Sequence, residues 1–116
     1  MFSAQYLPSG ATVFSPWFER QGDFLRATAD LAQLGSGAQL VVEVFTKNKE
    51  DTSDGTNADS GATTKITLTT ATRGTTEWGP SLSPALKELV RYKYTVTTNW
   101  VLFRMLTPVW FNAVKV

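Results

Sequence analysis

The feature that most constrains this chain is a period-two alternation of apolar and polar residues, densest in its last third. Between Leu89 and Val116, 17 of 28 residues are apolar or aromatic. Two is the period of a strand, whose successive side chains point to opposite faces. Elsewhere the same alternation is carried by β-branched and aromatic residues bounded by Gly, Pro, Asn and Asp. The 17 threonines suit exposed strands, where a branched side chain fits the pleat. The chain therefore reads as all-β.

With 116 residues it has room for one domain with a real core and none for a second. Residues 1–10 contain Pro8 and Gly10 and read as an N-terminal arm or edge strand whose Phe2, Tyr6 and Leu7 need a surface to lie on. Residues 11–116 then form the single β domain.

Within it, Asp23 to Leu34 reads as a strand with Phe24, Arg26 and Thr28 on one face and Leu25, Ala27 and Ala29 on the other. Gln39 to Thr46 places Leu40, Val42 and Val44 toward a core and Glu43 away from it. Thr63 to Thr72 alternates Ile66 and Leu68 with Lys65, Thr67 and Thr69, and should pair with the strand before it. Ser83 and Pro84 are a plausible N-cap and first helical residue, so one short helix is expected over Ser83 to Leu89. Val90 to Thr97 alternates Tyr92, Tyr94 and Val96 with Arg91, Lys93 and Thr95, a core face against a wet face. The run Trp100 to Leu106 is apolar on both faces apart from Arg104, as in a central strand or an interface. A last strand follows Pro108, from Val109 to Val116. About seven to eight strands at this spacing predict an antiparallel β-sandwich or jelly-roll-like barrel.

The composition removes several chemistries. There is no cysteine and no histidine, hence no disulfide, no thiolate ligand and no imidazole base. The net charge is +1, with five basic residues and one acid over 87–116 and two basic residues and four acids over 47–60. Neither block suggests a nucleic-acid channel, and no apolar run reaches the roughly 20 residues of a membrane-spanning helix. The opening residues lack the basic start and apolar centre of a signal peptide.

Candidate sites are correspondingly few. Ser36 lies in Gly-Ser-Gly, short of a nucleophile elbow and without a base. The carboxylate pairs Glu19 with Asp23, or Glu43 with Glu77, would have to face each other across a groove to cleave a glycoside. The connection Lys47 to Ala62 is long enough to project, with Glu50, Asp51, Asp54, Asn57 and Asp59 as its polar residues. It lacks the ligand order of a calcium loop, so it reads as a solvated acidic loop and no metal or cofactor is expected. Four tryptophans remain. Trp17 and Trp78 flank loop signals, where an exposed ring would stack on a sugar or anchor an interface, while Trp100 and Trp110 belong to core or interface.

The stretch Phe14 to Asp23, the later Phe45 to Asp51 and the block Tyr92 to Trp110 together resemble small virion proteins of tailed bacteriophages. The resemblance implies a β-sandwich decoration or cement protein, made in the host cytoplasm and carried on the capsid exterior. Its partners would be the major capsid protein and itself, often as a trimer, with no nucleic acid and no membrane. The residues expected at the interface are Phe2, Tyr6, Leu7, Trp17, Phe18, Trp78, Trp100, Leu102 and Trp110. Such a protein acts mechanically, by docking apolar surface worth roughly 25 cal/mol per Å² before association costs, and with no catalytic set in the sequence it is expected to be no enzyme. The alternatives are a carbohydrate-binding β-sandwich module or a tail or adaptor component of the same virion.

Overall fold

A computed structural model describes residues 4–112. Phe2 and the final four positions of the expected last strand lie outside the described residues.

Eleven strands run in chain order: β1 (Gln5–Leu7), β2 (Thr12–Phe14), β3 (Phe18–Glu19), β4 (Phe24–Leu34), β5 (Gln39–Lys47), β6 (Thr56–Asn57), β7 (Ile66–Leu68), β8 (Arg73–Trp78), β9 (Leu89–Thr97), β10 (Val101–Met105) and β11 (Val109–Phe111). They form two antiparallel sheets. In the first, β4 is central, with β8 on one side and β10 and β11 end to end on the other, and β1 borders β10. In the second, β5 and β9 pair along nine residues, with β2 and β3 beyond β9 and β6 and β7 beyond β5.

The sandwich core is the inward half of the alternation. Leu25, Ala27, Ala29 and Leu31 of β4 and Val101, Phe103 and Met105 of β10 meet Leu40, Val42 and Val44 of β5 and Val90, Tyr92, Tyr94 and Val96 of β9. Of the strand expected over Thr63 to Thr72 only Ile66–Leu68 forms, and it pairs with β5 as expected, Leu68 lying opposite Leu40. Strand and sheet meet closely at the β7–β8 corner. A Cβ on Gly74 would lie 2.8 Å from both Ile66 and Leu68, so the corner admits only glycine there without displacement.

The strand count exceeds the expected seven to eight because the borders are broken into pieces of two or three residues. Pro16 shows why. With no N–H it cannot continue the ladder on β9, and Ser15 closes the gap: its Oγ accepts from Tyr92 N at 2.9 Å and its N–H donates to Tyr92 O at 2.9 Å.

No helix forms over Ser83 to Leu89. The backbone groups a helix would use are engaged across the fold instead. Ser83 O accepts from Ser60 N, Leu86 O from Arg20, and Lys87 N donates 2.7 Å to the Oγ of the fully buried Thr46. Leu86 is thereby held in the core. Local capping signals lose here to tertiary partners.

Candidate functional site

Trp78 is 0 % exposed and belongs to the core, which corrects its expected place at an interface. It ends β8, where strand parity turns it inward opposite Leu25. Leu7 is also core, at 8 %. The run Trp100 to Leu106 is not equally apolar on its two faces: Val101, Phe103 and Met105 are buried, while Leu102 is half-buried and Arg104 exposed.

The remaining expected interface residues fall on three places. Tyr6 is 62 % exposed, with its ring 6.0 Å from that of Trp100, and it pairs with Leu102 across β1 and β10. Val109, 51 % exposed, lies at the other end of the same sheet near the stacked pair Phe24 and Phe111. Between these apolar ends sits a charged band in which Asp30 meets Arg73 and Arg104. Phe18 and Trp110 form an edge-to-face pair lining a cavity of about 180 Å³ with Gln21, Thr107 and Pro108.

Trp17 belongs to a cluster on the outer face of the second sheet. The Arg91 guanidinium lies 4.0 Å from the Phe14 ring centre and 4.4 Å from that of Trp17. Lys47 stands 4.8 Å from Trp17 and Lys93 5.5 Å from Phe45, and Phe45 meets Phe14 edge-on. Cation–aromatic attraction of this kind strengthens as the groups lose water, and the Arg91 side chain is 13 % exposed. The expected wet face of β9 is thus partly covered. The alternation places Arg91 and Lys93 on this face, whereas Lys47, expected to open the loop, ends β5 instead. What sequence spacing does not carry is that β9 lies beside β5 and brings these residues together.

The Lys47 to Ala62 connection does not project along its whole length. Its second half folds back: Thr56 and Asn57 pair with β5, and Ala58 is 0 % exposed with its N–H on Val44 O at 2.9 Å. Asn57 donates to Glu43 at 2.9 Å. One oxygen of Asp59 accepts from the N–H and hydroxyl of both Thr63 and Thr64, and the other from Gly61 N. These donors, the Thr64 and Thr63 hydroxyls foremost, hold the Asp59 carboxyl down from 3.8 to about 2. Its lone pairs are spent on the loop itself. Glu50, Asp51 and Asp54 are the exposed part.

Glu43 and Glu77 lie on different sheets and do not face each other across a groove. Glu43 lies on the second sheet bound to Asn57, whereas Glu77 lies on the first, 2.6 Å from Arg26. Glu19 is taken by Lys49 at 2.9 Å. Among the described residues no group of three or more acids is placed to hold a metal ion.

Comparison with known proteins returned no matching family model, curated protein or solved structure.

Tyr92 and Tyr94 face the core, where burial first, and for Tyr92 its neighbour Tyr94 second, raises their ionisation, Tyr94 to about 12. They fill space as neutral aromatics and offer no base.

Proposed function

We propose that this protein is a structural virion component that binds the outer surface of a capsid, stabilises the shell and catalyses no reaction. The observation that carries the reading is the exposed apolar surface at both ends of one sheet, Tyr6 at 62 % and Val109 at 51 %. Rings beside each, Trp100 at one end and the Phe24–Phe111 stack at the other, enlarge the area that a flat partner would cover. Aromatic side chains bury much surface at little rotamer cost, and repetition over a symmetric shell multiplies a modest affinity. The resemblance to phage virion proteins supplies the kind of surface, the major capsid protein, and a trimer supplies the self-contact.

The carbohydrate-binding alternative is less well supported. It needs Trp17 or Trp78 as an open platform; Trp78 is in the core and Trp17 has Arg91 and Lys47 against its ring.

Electron microscopy of the particle that contains the protein tests the proposal. Copies in fixed ratio to capsid subunits on the shell exterior are expected, a ring of copies would indicate a tail or adaptor role, and absence from any particle would overturn both.

A further inference from the structure

The tip of the long connection, residues 48–55, sits on the aromatic–cationic cluster, and the groups it uses indicate what else that surface accepts. Trp17 has two cations against its ring, Arg91 and Lys47. Two consecutive carbonyls of the tip take them both: Ser53 O accepts from Lys47 Nζ at 2.9 Å, and Asp54 O from Arg91 Nη2 at 3.0 Å. The Asp54 carboxylate adds a contact of 3.7 Å to Arg91 while remaining 97 % exposed. Gly55 then packs so closely on Trp17 that a Cβ there would come within 2.7 Å of the ring.

The two halves of the connection are held by different means. From Ala58 to Thr64 the backbone is tied into β5 and around Asp59. The tip is held by Gly55 against Trp17 and by polar contacts that are exposed apart from the Arg91 side chain, those just described together with Lys49 to Glu19 and Lys49 N to Glu88. Contacts of that type contribute little each and weaken with salt. A segment so held opens at a small fraction of the cost of unfolding.

We propose that the tip is a displaceable cover, occupying in cis the place that an acidic segment of a partner protein takes on the Phe14–Arg91–Trp17 surface. Charge complementarity argues for that occupant. The face presents Lys47, Arg91 and Lys93 beside three aromatic rings, and the chain's own cover carries Glu50, Asp51 and Asp54. Opening the cover frees one Arg91 nitrogen and the Lys47 ammonium for carboxylates, and Arg91 stays oriented between Phe14 and Trp17 while it changes partner. The inference concerns the second sheet and does not depend on the shell-binding role assigned to the first.

The test uses the full chain and a labelled peptide copying residues 50–55, with a control in which Gln and Asn replace its acids. Asp54→Asn alters one exposed position, leaving the core intact, and removes the carboxylate that the cover sets 3.7 Å from Arg91. The acidic peptide is expected to bind that variant about threefold more tightly than the wild type, to lose binding in high salt or on adding Arg91→Gln, and to outcompete the neutral control. Hydrogen exchange on the wild type reads the same device without any substitution: amides of 49–55 exchange much faster than that of Ala58. Peptide binding that is absent, indifferent to Arg91 or equal for the neutral control overturns the proposal, as does a tip that exchanges as slowly as Ala58.

Discussion

Single side chains close the backbone where this chain's ladders fail. Thr46 is the clearest case, fully buried, donating to Leu89 O at 2.9 Å and accepting from Lys87 N at 2.7 Å. Replacing it with valine keeps the shape and strands both partners, so Thr46→Val should destabilise by about 1–3 kcal/mol in denaturant titration, whereas Thr46→Ser should lose much less. Asp59 makes its segment sensitive to acid. Its folded ionisation lies near 2, below the 3.8 of an ordinary carboxylate, so its contribution is present above about 4 and lost as pH falls through 2. The amides of Thr63 and Thr64 should lose exchange protection over that interval, and Asp59→Asn should remove the pH dependence. Neither role is written in residue type: both residues look like ordinary polar strand or loop members until their partners arrive from 41 and four or five positions away.

Elements were legible in proportion to their length and regularity. The long strands β4, β5 and β9 follow the alternation that announces them, because a face that meets the other sheet must be apolar throughout. The short border strands have too few residues to show a period, and β8, six residues with polar side chains on most positions, gives no apolar signal before Trp78. The helix expected after Pro84 failed for the complementary reason, a correct capping pattern in a segment whose carbonyls and amides are claimed by Arg20, Ser60 and Thr46. At the β7–β8 corner, Gly74→Ala should force Ile66 and Leu68 aside and destabilise by about 1–3 kcal/mol, measured by thermal or denaturant unfolding. An unchanged midpoint would mean that the corner relaxes freely.

For the molecule as a whole, the proposed role assigns assembly to the first sheet's outer face, while its inner face is buried in the core. Tyr6→Ser with Val109→Ser removes exposed apolar surface only, so the unfolding midpoint should hold while self-association, followed by sedimentation velocity across concentration, should fall. Identical sedimentation of the two proteins would place the contact elsewhere. Of the surface proposed as the interface, Tyr6, Trp100 and Leu102 are singled out by the sequence and Val109 is not. A tryptophan before Gly-Pro looks like a loop residue, and only strand parity on β8 turns Trp78 into the core.

Alternation along the chain was sufficient to determine a β fold, the long strands and their inward residues, because burial acts on every second side chain wherever two sheets meet. Only the tertiary structure decided the strand neighbours, and with them the Phe14–Arg91–Trp17 cluster and the seat of the loop on it. Those contacts join β2, the β2–β3 connection, β5 and β9. Local patterns report which face a residue takes and carry nothing about which strand lies beside it.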